Sequence, residues 1–230
     1  MKRGVRLADR SGIRPLAAGE ALEIERLVPG AGEWELEIGF GKGRFLLGRA
    51  ETEPRRRYLG IEIAGEYFAL AARRMVRRKL ANLLLLEGDA AYFATAELPR
   101  GGFAAVHVYF PDPWPKLRHR KRRLFAADSV DLVAALVAPG GRLFFATDFL
   151  EYGAGVRELL ESYPGATVTV HEAPWPDGAR TNYEAKYIAE GRPILRLEVA
   201  FAAATPPHPR GFRELLVAAR AEPSPAPAEP

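Results

Sequence analysis

Glu37-Ile38-Gly39-Phe40-Gly41-Lys42-Gly43 sets three glycines at alternate positions between an apolar run and a helical one. Glycines at such a junction let the backbone turn sharply and come close to a ligand. The spacing is G-x-G-x-G, which is neither the G-x-G-x-x-G of dinucleotide sites nor a G-x-x-x-x-G-K-[ST] phosphate loop. Glu62 closes the next β-like run, 19 residues after Gly43, where an acid can bind ribose hydroxyls. Asp89 follows the third run in Gly88-Asp89-Ala90 and could accept from the amino group of an adenine. In an open α/β sheet these three loops share the carboxyl edge of the strands, so the expected ligand is an adenosine derivative. Read singly, Glu62 or Asp89 could equally be a helix cap.

A second constellation is Phe110-Pro111-Asp112-Pro113-Trp114-Pro115-Lys116. Three prolines stiffen the segment and bar it from helix or strand. It offers a carboxylate, a large aromatic ring and an ammonium within five residues. That set suits a nucleobase, stacked on the ring and bonded along its edge. The alternative is a proline turn anchored by a buried Trp114. The chain then continues Arg118-His119-Arg120-Lys121-Arg122-Arg123. Between Lys116 and Arg123 lie six cations and no acid, whereas the whole chain is only +4, so the remainder is net negative. Adjacent like charges repel, and a polyanion such as RNA relieves that repulsion. A further basic cluster, Lys2, Arg3, Arg6, Arg10 and Arg14, reads as a disordered arm or a second phosphate contact.

Strands alternating with helices would position these loops. Strands are expected at 34–38, 58–63, 82–87, 103–110, 142–147, 167–171 and 194–201, and helices at 44–50, 66–80, 90–97, 124–137 and 152–163. The four leucines at 83–86 fit a strand buried on both faces. The order predicts an α/β fold with a mainly parallel sheet. Three parts follow: a basic N-terminal segment (1–32), one domain (33–204), and a proline-rich tail (205–230) expected to be at least partly disordered. A short amphipathic helix is compatible with 210–220 in that tail.

The 230 residues include no cysteine, which excludes disulfides, thiolate metal sites and cysteine nucleophiles. The four histidines show no metal-ligand spacing, so no metal is expected. No apolar run reaches the ~20 residues of a membrane span, and no hydrophobic stretch follows the first residues. The expectation is a cytoplasmic protein without membrane association; monomer and homodimer both fit it.

Leu36–Gly43, Gly60-Ile61-Glu62, Phe110–Lys116 running into Arg118–Arg123, Thr147-Asp148 and Thr181-Asn182-Tyr183-Glu184 together closely resemble the bacterial tRNA (guanine-N7)-methyltransferase family. The likeness spans about 33–201, and the Pro-Asp-Pro-Trp segment is its most specific part. It implies a seven-stranded Rossmann-like methyltransferase sheet, mainly parallel with the last strand antiparallel and helices on both faces. It further implies methyl transfer from S-adenosyl-L-methionine to N7 of guanine 46 in the tRNA variable loop. By the resemblance Glu37, Gly39, Gly41, Gly43, Glu62, Asp89 and Asp112 bind the methyl donor, and Asp112 is also catalytic. Lys116, Asp148, Thr181, Asn182, Tyr183 and Glu184 bind substrate, and Arg118, His119, Arg120, Lys121, Arg122 and Arg123 bind RNA. Leu117 and the proline-rich tail depart from the family pattern.

Guanine N7 carries a free lone pair, so no proton need leave before attack and no strong general base is expected. Positioning then dominates. A carboxylate near the base would stabilise the charge that develops there. Three other readings stay open: an amino-methyltransferase on adenine or cytosine, a nicotinamide-dependent oxidoreductase, and a non-catalytic RNA-binding protein of the same fold.

Overall fold

Leu83–Leu86 are all buried, as a run with no polar face requires, and they fix the middle of one side of the sheet. The structure is a computed structural model that describes residues 6–9, 12–15, 23–90, 98–114, 116, 118, 123–125 and 130–202. Among them nine strands form one sheet: β1 (Arg6–Asp9), β2 (Gly12–Pro15), β3 (Trp34–Ile38), β4 (Arg57–Glu62), β5 (Leu83–Glu87), β6 (Phe103–Tyr109), β7 (Val137–Thr147), β8 (Ala166–Val170) and β9 (Leu195–Phe201). The helices are α1 (Ile24–Leu27), α2 (Arg44–Thr52), α3 (Gly65–Arg77), α4 (Val130–Ala134), α5 (Leu150–Glu161) and α6 (Asn182–Ala189).

The strand order is β2-β1-β5-β4-β3-β6-β7-β9-β8. Strands β3 to β7 pair in parallel, and β9 runs antiparallel to both of its neighbours. The seven strands from β5 to β8 are therefore the expected methyltransferase-type sheet with a reversed last strand. Register aligns Gly60, Glu37, His107, Phe144 and Glu198 in one row across five strands, on one face of the sheet.

The two faces bury different things. On one, Leu36, Val106, Val108, Leu143 and Phe145 pack with Val133 of α4 and Tyr152, Val156 and Leu160 of α5. On the other, Tyr58, Leu83 and Leu85 pack with Leu46 and Leu47 of α2 and with α3. Helix α3 presents Phe68, Ala71, Ala72 and Met75, the i, i+3, i+4, i+7 stripe of a surface helix. Burying Phe68 completely contributes roughly 1.5–3 kcal/mol.

The structure amends the expectations at three points. The N-terminal segment, for which a disordered arm is one of the two readings, contains the hairpin β1–β2, paired antiparallel with β5. Pairing with a strand distant in sequence, and burial of Ala8 in the second core, outweigh the local charge. Among the described residues of the helix expected over 124–137, only 130–134 are helical; Leu124 and Phe125 are not, Val137 already pairs with Phe103, and 126–129 lie outside the described residues. Pro139-Gly140-Gly141 then leaves the ladder as a bulge, since Ala105 next meets Arg142. The helices expected at 90–97 and 210–220, the tail as a whole, and His119 to Arg122 lie largely or wholly outside the described residues. Among the described residues no helix is long and apolar enough to cross a membrane.

Candidate active site

The glycine loop joins β3 to α2. Gly39 donates its N–H to the carbonyl of Ile61 (2.8 Å), which carries the ladder one residue beyond β3. Gly39 and Gly41 have φ of +76° and +54°, and a Cβ on either would meet nothing within 4 Å. Both positions therefore combine a left-handed backbone with open space, which is where a ligand can lie against the chain. Gly43, with φ +72°, is the residue before α2 and packs against Leu47 and Ala71.

Glu62 ends β4 beside this loop. One carboxylate oxygen accepts from Gly41 N–H (2.7 Å) and the other from Ala64 N–H (2.8 Å), so the acid holds the loop in shape. Glu37 lies on β3 below it and is 2% exposed. Its Oε2 is buried without a hydrogen-bond partner. Burial first, then the nearby Glu62 charge, pushes its carboxyl up to about 8. A buried carboxyl that keeps a backbone hydrogen bond from Leu46 but leaves Oε2 without a partner, beside a glycine loop, fits a ligand that brings a cation or hydrogen-bond donors. S-adenosylmethionine has an ammonium, a sulfonium and a ribose, and these residues fit it. Asp89 follows β5 and is exposed on the same sheet edge.

The next loop leaves β6. Phe110 and Trp114 both have positive φ (+51° and +40°), rare for residues with side chains. The prolines between them and contacts from elsewhere hold that conformation. Arg123 Nε donates to the Pro113 carbonyl (2.7 Å), while its guanidinium lies 4.7 Å over the Tyr152 ring. Arg123 thus turns inward and ties the loop to α5. Phe110 packs against Tyr187 and Tyr183 of α6, with ring centroids 5.6 and 6.3 Å apart. Asp112, Lys116 and Arg118 are exposed. Asp148 follows β7, with Arg192 3.9 Å away.

Thr181-x-x-Glu184 opens α6. The Thr181 hydroxyl accepts from Glu184 N–H (3.0 Å), and Glu184 Oε2 reaches back to Arg180 N–H (2.8 Å), a variant of the capping box. Glu184 is fully buried, and its Oε1 takes the Arg196 Nε (2.7 Å) from β9. Its carboxylate therefore organises the start of the helix from inside, whereas Asn182 and Tyr183 are exposed.

The carboxyl edge of the sheet thus gathers Gly39, Gly41, Gly43, Glu62, Asp89, Asp112, Asp148 and Thr181 on successive loops, with Glu37 buried beneath them. Residues without an earlier assignment stand close by. Arg180 precedes Thr181 and reaches Tyr109, the residue before Phe110. The sequence signal for it was slight: a cation beside one singled-out segment and a tyrosine beside the other. Among the described residues no group of three or more His, Asp or Glu could hold a metal ion.

A family model described as "Putative methyltransferase" matches residues 32–197. A tRNA (guanine-N(7)-)-methyltransferase of Alkalilimnicola ehrlichii is 36% identical over 81% of this chain and 80% of its own length. One of Nitrosococcus oceani is 35% identical over 70% and 69%, respectively. Among solved structures, a variant of the 16S rRNA (adenine(1408)-N(1))-methyltransferase of Catenulisporales acidiphilia with cosubstrate SAM is similar in fold. Its TM-score is 0.60 at 17% identity, covering 86% of this chain and 97% of that one.

Proposed function

Since the chain belongs to the tRNA (guanine-N(7)-)-methyltransferase family, we propose that it transfers a methyl group from S-adenosyl-L-methionine to N7 of guanine 46 in the variable loop of tRNA. The observation that carries this reading is the pairing of two features on one sheet edge. One is the open glycine loop over Glu37, whose buried Oε2 has no partner; the other is the stiff loop presenting Asp112 beside Trp114.

S-adenosylmethionine supplies an electrophilic methyl on a sulfonium. Glu37 takes its cationic part, and Gly39 and Gly41 admit the ligand against the backbone. Glu62 keeps the loop in place through Gly41 and has lone pairs left for the ribose hydroxyls. Asp89 meets the adenine edge. Trp114 stacks on the guanine, and Asp112 accepts from its N1–H and amino group. N7 attacks with a lone pair it already has, so the chain needs no base. Positive charge reaches the guanine during transfer, and the Asp112 carboxylate stabilises it where it develops. Alignment of base and methyl group is the larger demand, worth about 7–11 kcal/mol in favourable cases. Asp148, Asn182, Tyr183 and the Thr181 helix start border the base. Lys116, Arg118, Arg120, Lys121 and Arg122 hold RNA phosphates, whereas Arg123 serves by holding the Pro113 carbonyl. Glu184 serves through the chain it organises.

Incubation with methyl-labelled S-adenosylmethionine and unmodified tRNA, then digestion to nucleosides, tests the reading. Label in 7-methylguanosine is expected, lost when guanine 46 is replaced in the transcript. Label in another nucleoside, or none with tRNA still bound, would overturn it.

A further inference from the structure

Beneath the two substrate-facing segments runs a chain of polar side chains that the proposed reaction does not use. Arg180 Nη1 donates to the Tyr109 hydroxyl (2.6 Å). Tyr109 Oη lies 2.9 Å from His107 Nδ1, and His107 Nε2 lies 3.1 Å from Glu35 Oε2. Tyr109, His107 and Glu35 are all buried.

The protonation states give the chain one direction. Burial pushes the Tyr109 hydroxyl well above its ordinary range, so it keeps its proton. Burial also holds His107 below its usual value, against the pull of Glu35, so the ring is neutral at pH 7. Burial opposes ionisation of Glu35, yet His107, Arg49 and Arg56 together keep its carboxyl below the usual range. Tyr109 then donates to Nδ1, and the Nε2–H of His107 donates to the Glu35 carboxylate. Every member is satisfied, and such a network specifies one arrangement.

The Arg180 end explains which arrangement. Its guanidinium is enclosed by Trp175 (4.3 Å), Phe144 (4.9 Å), Phe45 (5.5 Å) and Tyr109 (5.8 Å). Phe45 belongs to α2, just after the glycine loop, and Phe144 to β7. Asp177 takes its Nε at 3.1 Å, and Glu184 takes its main-chain N–H. One residue thus touches the start of α2, the end of β6, the middle of β7 and the start of α6.

We infer that Arg180 is a positioning residue for methyl transfer: through Tyr109 and Glu184 it locks the Phe110–Trp114 loop against the Thr181–Glu184 segment, so that Asp112 meets the base in one register. The inference rests on the function proposed above. A misplacement near 1 Å can lower a rate by about 100-fold without touching the reacting atoms. Lysine is a poor substitute, since it cannot bond Tyr109 and Asp177 together with a planar fork.

The test is steady-state methylation of tRNA by Arg180→Met, Arg180→Lys, Tyr109→Phe and the Arg180→Met/Tyr109→Phe double variant, with melting followed in parallel. Arg180→Met should lower kcat about 10- to 100-fold with KM for tRNA within about threefold. Arg180→Lys should recover part of the loss. Tyr109→Phe removes one hydroxyl and leaves His107 Nδ1 and Arg180 Nη1 without that partner, so it should melt a few degrees below wild type and, assayed well below that transition, lower kcat about 5- to 10-fold. The double variant should be no slower than Arg180→Met, because both act through one contact. Unchanged kcat in Tyr109→Phe, a rise in KM alone, or losses that multiply would each overturn the inference while wild type still makes 7-methylguanosine. A wild-type protein that makes none would overturn the proposed function and this inference with it.

Discussion

Replacing Glu37 with Gln should stabilise the ligand-free protein and weaken its hold on the methyl donor. The carboxyl sits near 8 instead of its ordinary 4.5, chiefly through burial and then through Glu62. A folded-state value raised above the unfolded one makes the folded state the better proton binder. The associated stability is complete below about pH 4.5 and is lost as pH rises through about 8. The loss accrues at about 1.4 kcal/mol per pH unit, reaching about 3 kcal/mol at pH 7 and about 5 kcal/mol above pH 8. Glutamine has nearly the same shape and does not titrate. The two proteins should therefore melt alike near pH 5, and the variant should melt about 6–12 °C higher at pH 7. Calorimetric melting across pH 5 to 8.5 reads this directly. Titration with S-adenosylmethionine provides the second arm. At pH 7 the wild-type carboxyl is about nine-tenths protonated before binding, and a cation beside it favours release of that proton. The wild-type binding enthalpy should then depend on the ionisation enthalpy of the buffer, and that of Glu37→Gln should not. The variant should also bind the donor about 10- to 100-fold more weakly. Melting curves that stay parallel over the whole range, or a buffer-independent enthalpy in wild type, would refute the reasoning.

Asp112→Ala should lower methyl transfer more than about 100-fold while tRNA binding, read by filter retention, stays within about twofold. Neutralising Arg120, Lys121 and Arg122 together should weaken tRNA binding and reduce the slope of log K against log salt by roughly two to three; an unchanged slope would make the basic run a solvated face. Arg123→Ala releases the Pro113 carbonyl and uncovers Tyr152, so it should cost about 1–2 kcal/mol in a denaturant titration and lower kcat more than it raises KM for tRNA.

The parts of the fold that were legible in the sequence are those with strong local patterns. The glycine loop between β3 and α2, the four-leucine strand β5 and the stripe on α3 each announce themselves within a dozen residues. Candidate site residues on loops after strands were legible for the same reason, because the strand order alone sends those loops to one edge. The β1–β2 hairpin was not legible, since four-residue strands show no periodicity and depend on a partner more than 70 residues away. The Glu35–His107–Tyr109–Arg180 chain was hidden in the same way, because its members come from three separate stretches that only the sheet register brings together. Two residues had a signal of a different meaning. Thr181-x-x-Glu184 is a capping pattern as well as a substrate motif, and it predicts an inward Glu184. Arg123 reads as one more cation in a run, and nothing in its neighbours foretells that it faces Pro113.

The N-terminal hairpin also bears on how the molecule behaves in company. Without it, β5 would be a border strand, with unpaired backbone groups flanked by Leu83, Leu84, Leu85 and Leu86. An apolar border of that kind is a template for strands of other molecules. The hairpin covers it and puts β2 at the margin instead, only four residues long and ending in Pro15, which has no N–H to offer. Removing the first fifteen residues would leave the proposed site residues in the chain but uncover that border, so the shortened protein should aggregate more readily than the full chain.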